Sequence, residues 1–151
     1  MSKKILLFDD DYETMEPFKL LLEEAGYAVE LTAEQTILQR MTTEEFSLIC
    51  VDLMIHPRSP NQGRELVNNV GFQGVNWQYT GKELVKRIRS GEYEAEQNQG
   101  TKSSVPIIIL SATGNMFDTG DEGFDTQVNE IYEKPFDAVK LLHRIGALLG
   151  E

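Results

Sequence analysis

Apolar residues along the chain fall into short unbroken runs that stop at acids or turn residues. Lys4–Phe8 (KILLF) ends at Asp9-Asp10-Asp11, Phe46–Val51 (FSLICV) at Asp52, Val105–Leu110 (VPIIIL) at Ser111, and a weaker run, Glu130–Tyr132, just before Lys134-Pro135. Continuous rather than alternating apolar strands indicate burial on both faces, as in a parallel sheet covered by helices. A further short strand is expected over Ala28–Leu31. Between these runs the apolar positions return at helical spacing. Met15, Phe18, Leu21, Leu22 and Ala25 form one stripe, which Gly26 stops. Pro17 fits a helix only in its first turn, so this helix is expected to begin near Thr14. Thr32-Ala-Glu-Gln35 and Thr80-Gly-Lys-Glu83 read as capping boxes. They open helices carrying Ile37, Leu38 and Met41, and Leu84, Val85 and Ile88. Asp137 caps a last helix whose apolar face is Val139, Leu141, Leu142, Ile145 and Leu148. Strands alternating with helices predict an α/β, doubly wound (βα)5 fold with right-handed crossovers.

Three stretches depart from a minimal version of that pattern. Ile55–Tyr79 holds Pro57, Pro60, Gly63, Gly71 and Gly74 and is too long for a plain connection, with Gly63–Val70 reading as a short helix. Ser90–Ser104 is polar and reads as an extended surface loop. Gly114–Gln127 contains three glycines and no clean apolar stripe, so a fourth helix there is expected to be short, late or mobile.

Composition narrows the functional classes. The 151 residues suit one domain. With 14 basic and 25 acidic residues the net charge is −11, which argues against nucleic acid and against an anionic membrane surface as partners. The apolar runs are far shorter than the roughly 20 residues of a membrane span. The N-terminal run breaks at Asp9, too early for a signal peptide. A single cysteine, Cys50, cannot form an internal disulfide and reads as a small buried apolar residue. A reducing, cytoplasmic setting is expected.

In a doubly wound sheet, function collects at the carboxyl ends of the strands. Those ends here carry Asp9, Asp10 and Asp11, then Asp52, Ser111 and Lys134. Clustered carboxylates repel one another unless a cation neutralises them. Oxygen-only ligands suit a hard ion such as Mg²⁺ rather than zinc, and a lysine opposite them supplies a point charge for a phosphoryl group. Asp11 reads as a helix-entry residue rather than a third ligand. His56 and His143 show no ligand partners, and Trp77 reads as a core or lid anchor.

The run Lys4-Ile-Leu-Leu-Phe-Asp-Asp-Asp11, then Asp52-Leu-Met, Ile109-Leu-Ser-Ala112 and Glu133-Lys-Pro-Phe136 resembles the receiver domain of two-component response regulators, over nearly the whole chain. The resemblance implies a flavodoxin-like five-stranded sheet of order 2-1-3-4-5, with residues 1–151 as one receiver domain. It implies that Asp52 accepts a phosphoryl group from a phosphohistidine on a sensor histidine kinase or histidine phosphotransfer protein. Asp9 and Asp10 match the acidic pair that holds Mg²⁺. Asp10, Asp52 and the backbone carbonyl of Met54 would bind the ion directly and Asp9 through water. Ser111 matches the switch hydroxyl and Lys134 the phosphoryl-pairing lysine, whose bond to Pro135 is usually cis in the family. Such a domain is not an enzyme in the ordinary sense but assists its own phosphorylation and dephosphorylation.

Against that pattern, Asp52 and Gly81 lie 29 positions apart, so residues of about 55–79 read as an insertion between strand 3 and helix 3 and about 90–104 as an extended loop. The insertion is expected to form either a structured flap beside the pocket or an outside ornament. From Ser103 to Glu133 there is no Lys or Arg, while Asp118, Asp121, Glu122, Asp125, Glu130 and Glu133 are acidic. A basic downstream protein with salt-sensitive binding is therefore expected. Ile131 replaces the usual aromatic three positions before Lys134, with Tyr132 beside it. The last helix runs to Leu149, which leads us to expect a receiver without its own output domain, the alternative being a fragment of a longer chain. The alternative function is a non-phosphorylated receiver-like scaffold. A haloacid dehalogenase-like phosphatase would need Thr or Val at Glu13, and three aspartates would repel the phosphate of a flavodoxin-like FMN binder.

Overall fold

The computed structural model describes residues 3–60, 65–94, 99–112 and 123–151. In chain order the elements are β1 (Lys4–Phe8), α1 (Tyr12–Glu24), β2 (Ala28–Leu31), α2 (Ile37–Arg40), β3 (Leu48–Val51), β4 (Arg58–Pro60), β5 (Leu66–Asn68), α3 (Thr80–Arg89), β6 (Ile107–Ser111), β7 (Glu130–Glu133) and α4 (Ala138–Leu148). Five strands form one parallel sheet in the order β2-β1-β3-β6-β7, which is the expected 2-1-3-4-5 arrangement of its members. β4 and β5 form a separate antiparallel hairpin.

Period-two alternation on buried strands builds two core layers. Leu6, Phe8, Ile49, Val51, Ile107 and Ile109 face Ile37 and Met41, and Leu84, Val85 and Ile88 of α3. Ile5, Leu7, Cys50, Ile108 and Leu110 face Met15, Phe18 and Leu22 of α1 and Leu141 and Ile145 of α4. The strands' apolar runs are thus covered on both sides, and their carboxyl ends meet along one rim. No helix among the described residues is long and apolar enough to cross a membrane.

Several local expectations are corrected. Helix α1 starts at Tyr12, two residues before Thr14, because Asp11 caps it, its Oδ1 accepting from the Thr14 amide at 3.3 Å. Pro17 therefore lies inside the helix, beyond its first turn. Neither capping box forms. Thr32 Oγ1 accepts from the Glu34 amide, Gln35 Oε1 is engaged by the Gly71 amide, and α2 is a single turn. Thr80 is the first residue of α3 rather than its cap; Glu83 pairs with Arg87 at 2.8 Å, and a 3-10 turn over Trp77–Tyr79 leads into the helix. Val139 is 54% exposed, so Ala138 rather than Val139 packs beside Leu141 and Ile145.

The long connections are more ordered than their composition suggests. Leu66–Asn68, inside the stretch read as a helix, is strand β5, held by pairing with β4 and by the Gln35 amide donating to the Asn68 carbonyl. In the 90–104 stretch, Tyr93 and Thr101 are buried rather than surface-exposed. Thr101 Oγ1 accepts from the Phe46 amide and donates to the Glu44 carbonyl, tying this loop to the start of β3. Gly100 has φ +90° with the Thr42 carbonyl oxygen 2.8 Å from where a Cβ would stand, so no larger residue fits there. Of Gly114–Gln127, residues 114–122 lie outside the described residues, and the remainder contains a 3-10 turn over Asp125–Gln127.

Arg89 closes the end of α3 onto β6. Its guanidinium donates to the carbonyls of Gln127, Ser103 and Val105, each at 2.7 Å, and the group is half-buried. Arg89→Met keeps the stem but leaves three carbonyls without their donor. A stability loss on the order of 2–4 kcal/mol is expected in chemical denaturation. A loss below about 0.5 kcal/mol, the range of an ordinary surface change, would contradict this role.

Candidate functional site

The rim of the sheet brings four of the sequence-selected side chains together. Asp9 and Asp10 follow β1, Asp52 follows β3, and Lys134 follows β7. Lys134 Nζ lies 2.6 Å from Asp9 Oδ2 and 3.5 Å from Asp52 Oδ2. One carboxylate oxygen from each of Asp9, Asp10 and Asp52 lies within 4.8 Å of the others. Lys134 is positioned from below by its own amide, which donates to the Ser111 carbonyl at 2.8 Å, and the Lys134-Pro135 bond is cis. Ser111 ends β6, in register with Glu133, and is buried.

Second contacts orient the acids. Asp9 Oδ1 accepts from the Asp11 amide at 2.9 Å, so both Asp9 oxygens are engaged. Asp10 Oδ2 accepts from the His56 amide at 2.8 Å. Asp52 Oδ1 accepts from the Met54 amide at 3.3 Å. Asp11 serves α1 as its cap, as its sequence position indicates.

Burial raises the pKa of all three clustered acids above the ordinary carboxylate range. Asp9 and Asp10 are raised chiefly by burial, against the pull of Lys134 on Asp9 and of the His56 amide on Asp10. Asp52 is pushed up to about 7, first by burial and then by the charge of Asp9. Burial lowers the Lys134 pKa, but the charges of Asp9 and Asp52 outweigh it and the net direction is upward. One ammonium therefore faces three carboxylates whose ionised forms the site disfavours. That uncompensated negative charge, presented by oxygen ligands alone, fits a hard divalent cation.

Gly81, the second residue of α3, sets how closely that helix approaches the end of β3. Its amide donates to the Leu53 carbonyl at 2.9 Å, and a Cβ there would clash with the Asp52 carbonyl oxygen and stand 2.6 Å from Leu53 Cα. Two residues that sequence reasoning did not place at the site also belong to it. His56 reaches Asp10 through its backbone, which no side-chain motif reveals. Asn69 is buried and donates through Nδ2 to the His56 carbonyl at 2.7 Å and to Ser59 Oγ at 2.9 Å. Trp77 stands beside the His56 ring at 5.6 Å and is 37% exposed, an anchor at the rim rather than in the core. Cys50 is buried, and burial pushes its thiol pKa well up, so it is inert. Ile131 is 36% exposed, while the Tyr132 hydroxyl donates to Glu130 Oε1 at 2.6 Å.

Comparison with known proteins agrees with this fold. No protein-family model matches the chain. It is 30% identical over 147 residues to the response regulator ArlR of Staphylococcus saprophyticus, covering 97% of this chain and 52% of ArlR. It is 28% identical over 147 residues to the DNA-binding dual master transcriptional regulator RpaA of Synechocystis, covering 97% of this chain and 48% of RpaA. The chain thus spans about half the length of these curated relatives. A CheY-like response regulator receiver domain protein of Methanospirillum hungatei superposes with TM-score 0.66 at 20% identity, over 99% of this chain and 95% of that one. The receiver domain of the sensor histidine kinase PA1611 of Pseudomonas aeruginosa, solved with a magnesium ion coordinated in its active site cleft, superposes with TM-score 0.64 at 20% identity over the whole of both chains. The chain is thus similar to response regulators over about half of their length, and its fold is that of CheY-like receiver domains.

Proposed function

We propose that residues 1–151 act as one phosphoacceptor receiver domain, phosphorylated on Asp52. The observation that carries this is the placement of Asp52 at the end of β3, with Lys134 Nζ 3.5 Å from one oxygen and the carboxylates of Asp9 and Asp10 beside it. A phosphohistidine on a sensor histidine kinase or a histidine phosphotransfer protein is the donor. An ionised Asp52 oxygen attacks the phosphorus, the P–O bond forms as the P–N bond breaks, and the departing imidazole takes up a proton. Transfer of this kind depends on positioning and on neutralising charge over the equatorial oxygens. Lys134 supplies one such contact, and the Ser111 hydroxyl supplies another as it moves toward the new phosphoryl group. Asp10, Asp52 and the Met54 carbonyl would hold Mg²⁺, with Asp9 acting through water. When bound, the ion offsets carboxylate charge and polarises the transferring group.

The product gains about 1.5–2 negative charges at the rim. That charge draws Ser111 and Lys134 inward and changes the face presented to other proteins. Glu133, which ends β7 at that rim, is exposed, and a basic protein is the proposed downstream partner. Incubation with Mg²⁺ and a small-molecule phosphodonor is expected to add one phosphoryl mass to the intact protein and none to Asp52→Asn. An equal adduct on the variant would overturn the assignment of Asp52. The absence of any adduct on the wild-type protein would leave the scaffold function in its place.

A further inference from the structure

Beyond the phosphoacceptor pocket, we infer that Asn69 is a positioning residue for the metal site, acting through the His56 peptide on the carboxylate of Asp10. This rests on Asp10 being a metal ligand. The chain of contacts is continuous. Asn69 Nδ2 donates to the His56 carbonyl at 2.7 Å, and the amide of the same residue, His56, donates to Asp10 Oδ2 at 2.8 Å. The Asn69 backbone amide donates to the Pro57 carbonyl at 3.0 Å, so both sides of the His56-Pro57 segment are held by one residue. Asn69 is itself fixed. It is 6% exposed, forms an antiparallel bridge with Glu34, and follows directly on β5, whose Asn68 carbonyl accepts from the Gln35 amide.

The amide orientation of Asn69 follows from chemistry. Nδ2 faces a carbonyl oxygen and a hydroxyl, and exchanging it with Oδ1 would set two acceptors against each other at 2.7 Å. In this orientation Oδ1 is buried with no hydrogen-bond partner among the described residues. A buried unsatisfied acceptor costs free energy. The fold tolerates it here because the amide nitrogen holds the His56 peptide. Asp10 is the more open of the two β1 acids, and its Oδ2 is directed by a main-chain donor. Loss of a group that orients a metal ligand commonly costs about 10–100-fold in metal affinity. The β4–β5 hairpin is thus a buttress of the acidic pocket, which explains why residues so far from Asp52 in sequence are built against it.

The experiment is calorimetric titration of the unphosphorylated full chain with MgCl₂. The variants are Asn69→Leu, which keeps the volume and removes the amide, His56→Pro, which removes the backbone donor to Asp10, and His56→Ala, which keeps that donor and loses the ring. Asn69→Leu and His56→Pro are expected to weaken Mg²⁺ binding about tenfold, and His56→Ala to stay near wild type. Wild-type affinity in Asn69→Leu with an unchanged circular dichroism spectrum would overturn the inference. So would an equal loss in His56→Ala, since the ring and not the peptide would then matter. If Asn69→Leu does not fold, His56→Pro decides: unchanged affinity there overturns the inference. A wild-type chain that binds no Mg²⁺ would instead refute the metal reading on which the inference rests.

Discussion

Asp52→Asn is expected to make the metal-free domain more stable near pH 8, by on the order of 1–3 kcal/mol. The sign follows from the direction of the Asp52 shift. Its pKa rises from the ordinary 3.8 to about 7 on folding, because burial and the charge of Asp9 disfavour the ionised form. A carboxyl group raised in this way contributes stability that is fully present below about pH 4 and is lost as the pH rises through about 7. Above that range the folded chain must hold a charge that the unfolded chain carries more easily. Asparagine has the same shape and no charge, so it removes the penalty. The measurement is a pair of denaturation curves in chelator near pH 8 and near pH 4. The gain is expected at the higher pH and should shrink toward the lower one. Equal stability of the two proteins near pH 8 would mean that Asp52 carries no such strain.

Gly81→Ala acts in the opposite direction on stability and also disturbs the site. The added Cβ would clash with the Asp52 carbonyl oxygen and stand 2.6 Å from Leu53 Cα, and both obstacles are backbone. Relief requires α3 to retreat or the Asp52-Leu53 peptide to move. Overpacking of this kind costs about 1–3 kcal/mol, or about 2–4 °C in Tm for each kcal/mol in a chain of this size. The hydrogen bond from the Gly81 amide to the Leu53 carbonyl is lost or lengthened in either movement. The rate of adduct formation with a small-molecule phosphodonor is therefore expected to fall along with Tm. An unchanged Tm would contradict the close approach of α3 to β3.

The sheet was legible because each buried strand is an unbroken apolar run ending in a polar residue at the functional rim. Asp9, Asp52 and Lys134 could be selected from the ends of those runs alone, and the strand order brings them together. Asp11 was legible as a helix-entry residue from its cap preference, although the helix it opens begins at Tyr12 rather than near Thr14. The capping boxes were misleading for a physical reason. Thr32 and Gln35 have the right spacing, but tertiary partners took them first: Gln35 holds the Gly71 amide. Thr80 lost its cap position to the turn over Trp77–Tyr79, which carries the chain into α3. The hairpin was hidden because its strands are only three residues each and carry no alternating apolar pattern, with Pro60 in one and Asn68 in the other. His56 was missed because it contributes a backbone amide, and main-chain donors leave no mark on composition or spacing. Asn69 was missed because a buried asparagine looks like a loop residue until its partners are known.

Asp52 is the residue proposed to be phosphorylated. Borohydride reduces an aspartyl phosphate to homoserine, so treating the phosphodonor-reacted protein and sequencing its peptides by mass spectrometry locates the acyl phosphate directly. Homoserine is expected at position 52, dependent on Mg²⁺ and on the phosphodonor. Homoserine at position 9 or 10, with unmodified Asp52, would contradict that assignment.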